Sequence, residues 1–367
     1  MRKIISISII LTFFTLHYIP SSALGNGNSI TLIYSSNTLG EVEPGCCPET
    51  GNAGGLARRA HYIKKVREEA KNLLVLDAGD ALVLGYFDRT SEKEKARKRA
   101  EFVLDIYEKM GYGVLNIGDT DIGLGVEYLR NLQKRVKIPF LSANLKDRRT
   151  GKPVFNPYLI KDVGGAKIGI IGLVTANIPS YLQKEMMNYL VEEPIKVAIN
   201  MVQGPMSHCS YIFALAHLTP SEIGPLAKRV PEISIIIGGQ DRSFVFPNKI
   251  NRSILVQADA FGFHVGKMNL GLVKRSSEWV DVLPRTLLQK NIEEIQKKID
   301  DPQYIKDVKN LIELKETLSE QIKKLPGTEG KNTYENYLTL MHTGMESDKE
   351  IEKLIDSSRD QLKRPLP

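Results

Sequence analysis

The sequence predicts an α/β layered domain that continues into a C-terminal helical extension, and three observations predict it. Between Ile30 and about Val282, short β-rich apolar runs alternate with helical stretches, the order expected when helices cover a sheet. Polar or glycine-containing turns follow nearly every run, at the strand ends where ligands gather in open α/β sheets. After Leu283 the apolar residues change to the three-and-four spacing of one helix face.

The expected strands are Ile30 to Tyr34, Leu73 to Leu76, Gly113 to Ile117, Phe140 to Ala143, Ile168 to Val174, Tyr211 to Ala216, Ile233 to Ile237 and Ile254 to Ala258. Each is a short apolar run closed by a turn. Leu56 to Lys71 and Ser91 to Met110 are charged amphipathic segments and read as helices. Leu288, Ile292, Ile295 and Ile299 line one face of a further helix, which Asp300-Asp301-Pro302 breaks while offering a new start. Leu311, Leu314, Leu318, Ile322 and Leu325 mark the next helix, stopped by Pro326-Gly327, so the two form a hairpin that packs on the domain or on a partner. The tail from Thr328 to Pro367 is charged, with a short helix at Asp348 to Leu362. Residues 1–24 then read as a signal peptide, 28–285 as the α/β domain and 286–367 as hairpin and tail.

A chain of 367 residues, 42% hydrophobic, is long enough for one large domain plus an extension. Arg2 and Lys3, the apolar stretch from Ile4 to about Leu16 and the small residues of Pro20-Ser21-Ser22-Ala23 follow the order of a cleaved export signal. That order predicts a periplasmic or other extracytoplasmic location. The apolar stretch falls short of the roughly 20 residues that span a bilayer, so no stable membrane span is expected. A formal charge of +7 is too mild to imply a nucleic-acid partner.

Chemistry-bearing residues gather in five segments near the ends of apolar runs: Ser35-Ser36-Asn37-Thr38-Leu39-Gly40, Asp77-Ala78-Gly79-Asp80, Gly118-Asp119-Thr120-Asp121, Ala216-His217-Leu218 and Gly238-Gly239-Gln240-Asp241-Arg242. Carboxylates and imidazoles on such loops can converge from distant parts of a chain to hold metal ions. In this order the segments resemble the 5'-nucleotidase branch of the calcineurin-like metallophosphoesterases. The resemblance covers roughly Ile30 to Leu272 and extends to Gly54-Gly55-Leu56-Ala57-Arg58-Arg59-Ala60, Leu141-Ser142-Ala143-Asn144, Ile168-Gly169-Ile170-Ile171-Gly172-Leu173, and Val256-Gln257-Ala258 with Gly262. It implies a layered α/β/β/α metallophosphoesterase sandwich.

The family's ligand pattern is kept only in part. Where the resemblance calls for Asp-x-His after the first strand, this chain has Asn37 and Leu39. The bridging aspartate survives as Asp80, with Asp77 before it. In the Gly-Asn-His-Glu motif the ligand becomes Asp119, the leaving-group histidine Thr120 and the glutamate Asp121. The mid-chain histidine is His217, and the histidines of Gly-His-x-His become Gln240 and Arg242. One metal site would keep Asn37, Leu39, Asp80 and Arg242, where a guanidinium repels a cation. The other would hold Asp80, Asp119, His217 and Gln240, a set suited to one divalent metal such as manganese, magnesium or calcium. Alternatively Arg242 forms an ion pair with Asp80 or Asp119 in the space a metal once held. Asn37, Thr120, Asp121, Asp241 and Arg242 would line the cleft. Asp77 and Asp80 also suit turn and helix capping, and Thr120 and Asp121 suit turns.

Cys46 and Cys47 sit in a Gly/Pro-rich loop directly after the first segment, and Cys209 is the third cysteine. In an exported chain a vicinal disulfide, pairing with Cys209, soft-metal binding and a reactive thiol are all open. The loop resembles that of exported nucleotidase-like proteins that accompany multihaem cytochromes, which implies an electron-transfer partner. The chain itself has no Cys-x-x-Cys-His haem attachment site. It also reads as lacking the family's separate C-terminal substrate domain. The expected function is that of an exported 5'-nucleotidase-like protein that has lost two-metal hydrolysis and acts as a binding or redox-associated module for a small ligand or phosphoester. In this reading Asp80, Asp119, Cys46 and Cys47 carry the residual chemistry. The alternative is a divergent one-metal phosphoester (nucleotide) hydrolase.

Overall fold

Two β-sheets stack face to face and each is covered on its outer side by helices. A computed structural model describes residues 28–45, 52–85, 87 and 89–359. The strands of its first half are β1 Asn28–Ser35, β2 Leu73–Asp77, β3 Val114–Asn116, β4 Phe140–Leu141, β5 Leu145–Asp147, β6 Tyr158–Val163, β7 Ala166–Val174 and β8 Tyr189–Val191. Those of the second half are β9 Tyr211–His217, β10 Ile233–Gly238, β11 Val245–Ile250, β12 Ser253–Gln257, β13 His264–Leu272, β14 Trp279–Asp281 and β15 Asn332–Leu340. Helices α1 Leu56–Glu69, α2 Thr90–Met110, α3 Asp119–Ile122, α4 Val126–Gln133, α5 Pro194–Gln203 and α6 Pro220–Arg229 lie between them, followed by α7 Leu283–Asp300, α8 Val308–Lys324 and α9 Lys349–Ser358.

One sheet runs β14-β15-β13-β1-β2-β3-β4 and the other β11-β12-β10-β9-β7-β6. Side chains alternate across each strand, and here both faces find a buried partner. Leu32, Tyr34, Leu74 and Leu76 meet Ile168, Phe213, Leu215 and Ile237 between the sheets. Ile33, Val75 and Leu115 face the other way, under α1, α2 and α4. Ile171, Ile212 and Ile236 do the same under α5 and α6. The expected α/β/β/α order is therefore observed, and strands buried on both faces explain why the runs read as continuous apolar stretches.

The tail departs from expectation. It was to be charged with one short helix, yet β15 lies between β13 and β14 inside the larger sheet, antiparallel to the first and parallel to the second. The sheet thus draws on residues on both sides of position 285. β15 does not read as an apolar run because its buried positions include Asn332, Thr333, Glu335 and Asn336; Asn332 and Glu335 are met by hydrogen bonds, whereas Thr333 Oγ1 and Asn336 Nδ2 have no partner. Asn332 accepts from Tyr211 OH at 2.9 Å and from the Val273 N–H at 2.8 Å, and donates to Lys274 O at 2.7 Å. Replacing Asn332 with alanine strands these groups in the interior and is expected to cost roughly 2–4 kcal/mol, readable as a lower urea midpoint.

α7 and α8 fold back on one another as a hairpin, with Thr286 of α7 donating to Glu335 of β15 at 2.9 Å. Among the described residues no helix is long and apolar enough to cross a membrane. The signal peptide expected over residues 1–24 and the end of the expected helix beyond 359 lie outside the described residues.

Candidate metal centre

The loops after β1, β2, β3, β9 and β10 meet at one end of the sandwich, and backbone hydrogen bonds hold them in register. Asn37 N–H donates to Gly79 O at 2.9 Å, Leu39 N–H to Asp80 O at 2.8 Å and Gly40 N–H to Ala81 O at 3.0 Å. The next loop is pinned by Asp121, whose carboxylate accepts from the N–H groups of Asp80 at 3.0 Å, Leu82 at 2.9 Å and Gly118 at 3.0 Å. Asp80 returns the contact by accepting from Thr120 N–H at 2.9 Å. Asp121 and Thr120 are thus tied into the loops; Thr120 Oγ1 donates to Val83 O at 3.0 Å.

Such close approach requires glycines. Gly79 has φ +114°, and a Cβ there would sit 3.0 Å from His217 Nδ1; a Cβ on Gly118 would collide with the Asp80 carboxylate. The non-glycine residues Asn37, Leu39 and Asp80 take left-handed φ values of 49°, 55° and 55°. Each such conformation costs on the order of 1–3 kcal/mol and persists where the surroundings over-determine it, typically at functional sites.

At the centre, His217 Nε2 lies 2.8 Å from Asp119 Oδ1 and 3.4 Å from Asp80 Oδ2. Asp80, Asp119 and His217 are all buried, and one ligand atom from each falls within 4.8 Å of the others, a group that could hold one metal ion. Burial alone would push the imidazole down, but Asp80 and Asp119 outweigh it and raise His217 to about 9. Burial works against ionisation of Asp119 too; the His217 contact overrides it and holds that carboxyl below its usual value. Asp80 is held up at about 6 by burial, against the pull of His217. Without a cation the imidazolium neutralises the acidic pair. His217 Nδ1 is buried without a partner.

The space where the resemblance implies a second metal is differently filled. Asn37 Nδ2 donates to Asp241 O at 2.9 Å, and Gln257 Nε2 donates to the same carbonyl at 2.6 Å and to Ser243 O at 2.6 Å. Two amides therefore hold the loop that carries Gln240, Asp241 and Arg242. Leu39 is a buried hydrocarbon, Gln240 is half-buried, and Asp241 and Arg242 are exposed. The alternative ion pair of Arg242 with Asp80 or Asp119 is not what forms: His217 takes both carboxylates. Tyr181 stands at the mouth, where burial raises its hydroxyl's pKa, Asp119 and Asp80 raise it further and Arg242 lowers it.

A buried network that the motif search did not single out lies beneath the first two loops. Arg59 Nη1 donates to Thr38 Oγ1 at 2.9 Å, Tyr107 OH at 3.0 Å and Tyr112 OH at 3.3 Å. Tyr107 OH reaches Asp77 Oδ2 at 3.1 Å, and Ser35 Oγ, 2.8 Å from Tyr112 OH, donates to the same oxygen at 2.6 Å. Asp77 Oδ1 also accepts from Gly79 N–H at 2.9 Å. Arg59 was visible in the Gly54–Ala60 segment, but only as part of a helix. Tyr181 lies in a segment with no motif, and nothing in the sequence would have found it.

Cys46 and Cys47 lie outside the described residues; the base of their loop is closed by Gly45 N–H donating to Ala53 O at 2.9 Å. Cys209 is buried just before β9, at the opposite end of the strand from His217. The expected thiol chemistry, and with it the electron-transfer partner, rests on Cys46 and Cys47 alone.

No family model matches the chain. A snake venom 5'-nucleotidase from Naja atra is 27% identical over 282 residues, 66% of this chain and 50% of the relative. A 2',3'-cyclic-nucleotide 2'-phosphodiesterase/3'-nucleotidase from Salmonella typhimurium is 27% identical over 265 residues, 61% of this chain and 40% of the relative. The chain thus spans about half the length, or less, of these curated relatives. Among solved structures, a 5'-nucleotidase precursor from Thermus thermophilus superposes with a TM-score of 0.63 at 20% identity, covering 90% of this chain and 59% of that one. The calcineurin-like phosphoesterase YfkN from Bacillus subtilis gives 0.63 at 15% identity, covering 92% and 98%. These superpositions share the layered fold described above.

Proposed function

We infer that this chain, a member of the 5'-nucleotidase branch of the calcineurin-like metallophosphoesterase superfamily, is an extracytoplasmic binding protein that holds at most one divalent cation and has given up two-metal hydrolysis. The observation that carries this reading is Leu39, a buried hydrocarbon where a two-metal centre needs a ligand. On that side Asn37 gives its Nδ2 to Asp241 O at 2.9 Å and offers only its unpartnered Oδ1, beside the hydrocarbon of Leu39.

The residues that remain fit one cation. Asp80, Asp119 and His217 supply two carboxylates and an imidazole, with half-buried Gln240 on the neighbouring loop, and this is a donor set for a hard or intermediate ion. A bound cation would contribute fixed positive charge to which an anionic ligand, such as a phosphoester, can attach. The chain's own residues shape the rest: Asp121 fixes the loops and Arg242 presents a second positive charge at the rim. A venom 5'-nucleotidase among the relatives and the leader-like first residues support a location outside the cytoplasm.

The test is elemental analysis after equilibration with manganese, magnesium or calcium, paired with phosphate release from p-nitrophenyl phosphate. One cation per chain, lost in Asp80→Asn and His217→Ala, with no release of phosphate is expected. Two cations per chain, or turnover that disappears in Asp80→Asn, would sink the proposal.

A further inference from the structure

The end of the sandwich away from the cleft carries cations that the fold leaves unpaired. β1 reaches the cleft with Ser35 and starts at Asn28, which pairs with Leu272 at the end of β13. β12 likewise reaches the cleft with Gln257, which holds the Asp241 loop, and starts at Ser253. The turn before Ser253 and the turn after Leu272 therefore lie at the far end. The first joins β11 to β12 and brings Lys249 and Arg252; the second joins β13 to β14 and brings Val273, Lys274 and Arg275.

Hydrogen bonds lock the two turns to each other and to the core. Arg252 Nη2 donates to Arg275 O at 3.4 Å, and Arg275 Nη1 donates to Cys209 O at 3.0 Å. Beneath them, fully buried Asn332 accepts from the N–H groups of Val273 at 2.8 Å and Lys274 at 3.2 Å, and donates to Lys274 O at 2.7 Å. A backbone held in this way fixes which side chains face out. Those are Val273, 49% exposed, and exposed Lys249, Arg252 and Lys274, with half-buried Arg275 beside them.

The chain does not neutralise these charges. Each guanidinium gives a hydrogen bond to a carbonyl, which keeps its charge and leaves most of its five N–H donors open. Among the described residues, Lys249, Arg252, Lys274 and Arg275 make no ion pair; Glu278, the carboxylate of the β13–β14 connection, is taken by Lys331 at 3.6 Å. Like charges gathered in adjacent turns repel one another and destabilise the fold unless a polyanion meets them.

Two features select a lipid surface as that polyanion. An exposed apolar side chain flanked by cations suits the headgroup layer, with hydrocarbon inward and positive charge at the phosphates. The chain also enters the fold here, since the leader-like residues with their apolar stretch from Ile4 to Leu16 precede Asn28, the partner of Leu272. A protein leaving a membrane behind that segment meets the lipid with this end and keeps its cleft toward solvent.

We propose that Lys249, Arg252, Val273, Lys274 and Arg275 form a docking surface for an anionic lipid bilayer, on which the protein rests peripherally with its cleft facing away. Headgroup phosphates meet the cations, and Val273 reaches the headgroup boundary. The surface is independent of the metal centre and of what the cleft binds.

Flotation of the exported protein with vesicles tests it, using phosphatidylcholine alone and phosphatidylcholine mixed with phosphatidylglycerol. The protein should float with the mixed vesicles only, and high salt should release it, because the attraction fades within a Debye length. Lys249→Ala with Lys274→Ala removes two charges and no hydrogen bond of the fold, and should weaken binding about twentyfold, roughly fivefold per cation. Lys95→Ala with Lys98→Ala makes the same change of net charge on the first half of α2, where Arg99 donates to Gly40 O of the cleft loop. That variant should bind as wild type does. Equal weakening by the two pairs, or no flotation of wild type, would overturn the docking surface. So would salt-resistant flotation with both vesicle types, which assigns binding to the N-terminal apolar residues, and retention on poly-L-glutamate without flotation, which assigns the cations to an acidic protein.

Discussion

Replacing Arg59 with leucine is expected to destabilise the protein by about 3–5 kcal/mol, the usual cost of breaking a buried charge arrangement by removing one partner. Arg59 and Asp77 are both essentially inaccessible. They do not touch; Tyr107 links them directly, and Tyr112 links them through Ser35. Burial pushes the Asp77 carboxyl up, with Arg59 among the groups that pull it back. Without the guanidinium, Asp77 faces the interior with hydroxyls and one backbone N–H only. The double variant Arg59→Leu with Asp77→Asn should be more stable than Arg59→Leu alone, because the stranded charge has gone; a double-mutant cycle in urea reads this coupling directly. A midpoint for Arg59→Leu equal to that of wild type would show that the network carries no stability.

The loss should be felt at the metal centre as well. Thr38, Ser35 and Asp77 belong to the two loops that place Asn37, Leu39 and Asp80 in left-handed conformations. Those conformations have an energetic cost, and the network beneath is what makes alternatives worse. Arg59→Lys keeps the charge but loses the length and planar geometry with which Nη1 reaches the hydroxyls of Thr38, Tyr107 and Tyr112, so an intermediate effect is expected.

The sandwich was legible because most of its central strands are buried on both faces and carry hydrocarbon throughout. β7, β9 and β10 lie where the runs Ile168 to Val174, Tyr211 to Ala216 and Ile233 to Ile237 put them. β15 was not legible, since its buried positions include the polar residues Asn332, Thr333, Glu335 and Asn336, which a hydropathy pattern does not mark as buried. The centre divides in the same way. Asp80, Asp119 and His217 come together as their motifs implied. The part of Asn37 in holding the Asp241 loop and the Arg59 network depend on pairings across 204 and 48 positions, which no local spacing reveals.

Restoring the ligand types that the resembled family carries, by Asn37→Asp, Leu39→His, Gln240→His and Arg242→His together, is expected to raise the cation content from one to two per chain. The resemblance makes Asp80 the bridging ligand, and its N–H and carboxylate are already fixed by Asp121 and Thr120. What is absent is donor chemistry beyond the unpartnered Asn37 Oδ1. The same change should make the cation-free protein less stable, because an imidazole replaces buried Leu39 and the Asn37 bond to Asp241 O is lost. A polar group buried without partners costs roughly 1–3 kcal/mol. Manganese should recover that loss, since an ion at about a hundred times its dissociation constant stabilises by about 2.7 kcal/mol. The variant should therefore melt below wild type in chelator and near or above it in manganese, and elemental analysis should count two ions. A folded variant that still binds one would mean that the loop held by Asn37 and Gln257, and not the identity of the ligands, is what closed the second site.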